Sequence, residues 1–210
     1  MEKSLTLLYT ASLNGEIDAL PRLYTALKLL RGRIESGRTI YVDAGGACSP
    51  DAWHCAVTGG RSMIVALDGM GCAVANVNEV LDPEAREKLG DNLALTLIDA
   101  AYPSHISDEL IFAIAPPHGT DPDQLTILLA KGVTTYLRDR VLHLSDLRGA
   151  SQFGMVNLEQ IDGVWGLANY AIHDIAPATP PDPTIAGAVD FILSEARYAR
   201  KRQAGDADTP

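Results

Sequence analysis

The chain has 210 residues, 47% of them hydrophobic and 21% charged, with a formal charge of −10. That length and composition exclude a disordered polymer and fit one folded domain better than two. The acidic balance argues against nonspecific binding to nucleic-acid phosphates, because Lys and Arg cluster only between Arg197 and Arg202.

In chain order, "SLTLLYTA" alternates Leu5, Leu7 and Tyr9 with polar or smaller residues and predicts a strand. Leu20, Leu23, Leu27, Leu30 and Ile34 then recur at helical spacing, with Pro21 suited to a first helical turn. "RTIYVDAGG" is a β-branched run that predicts a strand ending at Asp43 and two glycines. "GGRSMIVALDGMG" predicts a helix and "CAVANV" a short strand, followed by a helix over "DPEAREKLG". "LALTLIDA" and "ELIFAIA" predict strands, and "DPDQLTILLAKG" a helix. Beyond residue 139 "RVLHLSD" and "FGMVNLEQIDGVWGLANYAIHDI" predict antiparallel strands, with Asp162-Gly163 as a hairpin turn. A helix with Ile185, Val189, Ile192 and Ala196 inward closes the chain. The expectation is a single domain over 1–202 and a disordered tail over 203–210.

The three cysteines, Cys48, Cys55 and Cys72, are odd in number and lack CxxC spacing, so three reduced thiols are expected. The short apolar run after Met1 suits neither a signal sequence nor a membrane span. A cytoplasmic protein is expected, with no nucleic-acid or membrane partner and an unidentified small molecule or protein as its ligand.

Strand and helix alternate through the first half, which brings the loops at Thr10, Asp43 and Asn78 to one edge of a parallel sheet. In order and context these loops resemble the calcineurin-like metallophosphatases, in particular the metal-dependent domain of the 5′-nucleotidase and UDP-sugar hydrolase family. "LTLLYTASLNGEID" is similar to that family's opening strand and T-N-D-x-H-G loop, and "TIYVDAGGACSP" to its D-A-G-D loop. "GGRSMIVALDGMGCAVANVNEVLD" resembles the helix and strand leading to its G-N-H-E-F-D motif. The likeness covers about residues 4 to 198, with the stretch from 100 to 140 shortened. It implies an α/β fold of two mixed β-sheets flanked by helices.

The resemblance also implies a metal site, and the chain departs from it. Ser12 and Asn14 stand where the family places an Asp and a His on one metal, and Gly46 where it places the Asp that bridges two metals. Asp43 matches the first Asp of that loop, and Asn78 matches the Asn ligand. Glu79 replaces the catalytic His, and Asp82 matches the motif's last Asp. No G-H-x-H motif occurs, and only His105, His118 and His143 lie where the later histidines would fall.

Two dications ~3.5–4 Å apart need a bridging carboxylate, and neutral Ser and Asn oxygens are weak ligands for transition metals. A noncatalytic domain without a cofactor, acting in binding or assembly, is therefore the first expectation. The alternative is a phosphoesterase with one divalent cation on Asp43, Asn14, Asn78 and Glu79, with His118 as relic ligand or base. Against this, Asp43 and Asn78 suit loop capping. His54 and Cys55 are adjacent and a poor nucleophile and base pair. "VTGGRSM" resembles a phosphate cradle but fits a tight turn better.

Overall fold

The computed structural model describes residues 3–34, 37–90, 92–116 and 124–207. Two mixed β-sheets pack face to face, and helices cover the outer side of the larger one. Its six strands are β1 (Lys3–Thr10), β2 (Arg38–Asp43), β3 (Val74–Asn76), β4 (Thr96–Ile98), β10 (Gln152–Ile161) and β11 (Val164–Asp174), in the order β11-β10-β1-β2-β3-β4. β1 to β4 run parallel, while β10 is antiparallel to β1 and β11 antiparallel to β10. The smaller sheet has the order β5-β6-β7-β9-β8, from β5 (Ser104–Ser107), β6 (Leu110–Ala113), β7 (Leu125–Gly132), β8 (Tyr136–Arg138) and β9 (Val141–Ser145). β6, β7 and β9 are parallel, with antiparallel β5 and β8 on the outside.

The alternation in β1 does double duty because both faces of that strand are covered. Leu5, Leu7 and Tyr9 enter the layer between the sheets with Val42, Phe112, Leu125, Ile127, Leu129 and Leu142. Leu8 enters the layer under the helices with Tyr41 and Ala75. That second layer is filled by α1 (Leu20–Arg31), α2 (Trp53–Thr58), α3 (Arg61–Gly69) and α5 (Pro183–Ala207), each through one apolar face. The short α4 (Pro83–Leu89) starts at Asp82, whose side chain accepts a hydrogen bond from the Ala85 N–H at 2.7 Å. Asp162 and Gly163 both have positive φ, so the β10–β11 hairpin turns through the two residues that signalled it.

Three expectations need correction. Leu125–Gly132 is the strand β7, where the sequence predicts a helix. Leu125 to Leu129 are all buried, so the strand presents an apolar run, broken only by Thr126, whose period does not separate it from a buried helix. Secondly, α5 continues through Ala207, past the predicted start of a disordered tail at Gln203. Thirdly, Cys48 and Cys55 form a disulfide with their Cα atoms 5.8 Å apart, leaving Cys72 as a buried free thiol. The first turn of α2 brings Cys55 back against the loop that carries Cys48, within ordinary bridging distance. No helix among the described residues is long and apolar enough to cross a membrane.

Candidate functional site

The carboxyl ends of β1, β2 and β3 do meet. Pairing between the first two loops continues past the strands, through Ser12 N–H to Gly45 O (2.8 Å), Asn14 N–H to Gly46 O (2.9 Å) and Gly15 N–H to Ala47 O (2.8 Å). His54 holds this layer from behind, with Nδ1 2.7 Å from Ser62 Oγ and Nε2 2.9 Å from Gly15 O. Both ring nitrogens are thus engaged and Cys55 is in a disulfide, so neither side chain is set up as a base or nucleophile.

Asp43 is fully buried at the end of β2. Thr10 donates its hydroxyl to Oδ2 at 2.7 Å, and the Gly45 N–H donates to Oδ1 at 3.0 Å. Burial lifts its pKa to about 6; the two hydrogen bonds and the Lys131 charge pull in the opposite direction without cancelling it. Tyr41, 3.2 Å from the Thr10 hydroxyl, is pushed well above the usual tyrosine range, first by burial and then by Cys72 and Asp43. Both Asp43 oxygens therefore serve the protein's own donors.

Ser12 and Asn14 hold left-handed backbone, with φ of 53° and 51°, as does Glu79 at 61°. This conformation is uncommon for residues with a Cβ, and here it falls on positions that the resemblance assigns to metal chemistry. The Ser12 hydroxyl donates to Asp146 Oδ1 at 2.7 Å, and that oxygen also accepts the Leu147 N–H at 2.8 Å. At Gly46, also left-handed with φ of 74°, a Cβ would lie 3.1 Å from Lys131 Nζ and 3.2 Å from Ser12 Cα. The Lys131 ammonium, reaching over from the end of β7, thus occupies the space beside the residue where the family carries its bridging carboxylate.

The third loop divides. Asn76 ties the sheets together by donating Nδ2–H to Leu129 O at 2.7 Å, and its Oδ1 accepts the Asn78 N–H at 2.9 Å, which fixes the turn at Asn78. Glu79 and Asp82 instead line a separate cavity of about 360 Å³ beside the Cys48–Cys55 disulfide. Asp82 is committed to capping α4. Gly59 and Gly60, from the stretch that resembles a phosphate cradle, pack on this side. A Cβ on Gly60 would come within 2.1 Å of Val80 O, so the segment is a tight turn. His118 lies outside the described residues. His143 is in β9, stacked on Tyr136 at 4.3 Å, and His105 is in β5.

The side chains present do not fit a two-metal centre. Among the described residues no three His, Cys, Asp or Glu side chains are grouped as a metal site. More directly, the Lys131 ammonium beside Gly46 puts a positive charge where the family carries a bridging carboxylate, and that charge repels a dication instead of holding one. Lys131 and Asp146 escape the sequence reading because a helix over residues 121–132 would turn Lys131 away from any strand end. A strand there places a lysine at the carboxyl edge, which is the signal that was available.

No family model matches the chain, and no curated protein does. Among solved structures the chain is similar to the calcineurin-like phosphoesterase YfkN from Bacillus subtilis, with 11% identity and a TM-score of 0.66 over 95% of this chain and 100% of that one. It is also similar to the sulfate thiohydrolase SoxB of Thermus thermophilus in complex with glycerol, with 11% identity and a TM-score of 0.63 over 91% of this chain and 60% of that one. With its two mixed sheets in this order and the loops of β1, β2 and β3 at one edge, the chain has the calcineurin-like phosphoesterase fold.

Proposed function

We propose that this is a calcineurin-like domain without phosphoesterase activity, in which the scaffold serves binding or assembly. The observation that carries the reading is the place of Lys131 Nζ, 3.1 Å from where a Gly46 Cβ would be. Its single charge stands beside the loop where hydrolysis in the family needs metal-generated hydroxide and charge clamping, worth well over ~8 kcal/mol of barrier lowering. The full burial of Asp43 against Thr10 and Gly45, and the turning of the Ser12 hydroxyl toward Asp146, support the same reading.

The test is elemental analysis of the purified chain together with assays on nucleotides and simple phosphate esters. The expected result is no stoichiometric transition metal and no turnover above background. About one Mn, Fe or Zn per chain, with turnover near ~1 s⁻¹ abolished by Asp43→Ala, would overturn the proposal in favour of a remodelled single-metal phosphoesterase.

A further inference from the structure

The closing helix α5 spans 25 residues, and its inner face is fixed by Ile185, Val189, Ile192 and Ala196, all buried. On the opposite side runs an outer seam of Gly187, Phe191, Ser194 and Tyr198, at alternating spacings of four, three and four. All four are exposed, and Phe191 and Tyr198 are 67% and 61% exposed, among the most exposed apolar side chains described. Such spacing is that of a seam built to pack against another helix. Among the described residues nothing covers it, and a Cβ on Gly187 would meet no atom within 4 Å.

We infer that α5 pairs antiparallel with α5 of a second copy of this chain. The seam is complementary to its own reverse. In one antiparallel register Tyr198 falls opposite Gly187 of the second copy and Phe191 opposite Ser194, so each ring meets a small residue, and two-fold symmetry repeats both contacts. Charge selects the same occupant. Asp190 and Arg197 directly precede the two aromatics on one flank, and in this register each faces the other's counterpart across the two-fold axis. Both are exposed, and neither forms an ion pair among the described residues. Two chains of charge −10 repel at long range, so they associate best where opposite charges match locally.

An interface of one helix per subunit lies at the small end of specific contacts, which implies a weak, reversible dimer of roughly micromolar affinity. Sedimentation velocity of the full chain from about 5 to about 500 μM reads this directly. The expected result is a concentration-dependent monomer–dimer equilibrium. Asp190→Arg should weaken it at least ~tenfold, and Asp190→Arg with Arg197→Asp should restore it to within ~threefold of the parent. Gly187→Leu should also abolish the dimer while favouring the helix itself, which separates loss of contact from loss of folding. A chain that stays monomeric throughout overturns the inference. So does a dimer that tolerates Gly187→Leu, or a charge swap that fails to recover association.

Discussion

Asp43 is a carboxyl group with no access to solvent, and its pKa near 6 makes the stability of the fold depend on pH in an unusual direction. The folded chain holds that proton up to about pH 6, whereas an unfolded Asp releases it near ~4. Between those values the folded state binds more protons, so raising the pH lowers stability, and the loss is complete above the folded pKa. The gap between a folded pKa of about 6 and an unfolded value near ~4 corresponds to roughly 3 kcal/mol. Asp43→Asn should remove this dependence: the stability of the variant relative to the parent should rise by about 2–3 kcal/mol from about pH 4 to about pH 6.5 and stay level above it. Urea unfolding of both proteins across that range checks it, and a relative stability that falls with pH would contradict the burial argument. The residues that depart from the metallophosphatase motifs are legible one by one, since Ser12, Asn14 and Gly46 each sit next to a recognisable strand end. Their partners are not. Lys131 and Asp146 reach the same cleft from the second sheet, and a contact between residues so distant in the chain leaves no local pattern to read.

At the scale of elements, legibility follows burial. A helix with one covered face, such as α1, carries a period that predicts it, while β11 is read from the hairpin turn that precedes it. β7 is covered along both faces, and its run "LTILL" reads as helix or strand alike. Asp82 shows the converse, a motif residue whose observed work is local: it caps α4, and such a cap is typically worth ~1 kcal/mol. An odd count of cysteines, likewise, says nothing about which pair a helix will bring together. The disulfide joins the loop after β2 to α2 and closes a short loop, from Cys48 to Cys55. In denatured, unreduced protein one thiol, that of Cys72, should therefore titrate, and three after reduction. Three before reduction would show that Cys48 and Cys55 are not bridged.

For the whole molecule, the likeness to two solved structures at 11% identity each shows how little sequence the architecture requires. What it requires is that one sheet serve two cores. β1 lies between β10 and β2 and is buried on one side by the smaller sheet and on the other by the helices. Gly154 on β10 is moulded to it so closely that a Cβ there would fall 1.9 Å from the Tyr9 ring. A strand shared in this way has no route of its own to solvent. The amides of Leu5 to Thr10 should exchange with deuterium only when the entire domain opens, at one common rate equal to that of global unfolding. Those of α4 and of β5, at the edge of the smaller sheet, should exchange sooner and independently. Both cores would then be lost as one cooperative unit, despite the layer that divides them.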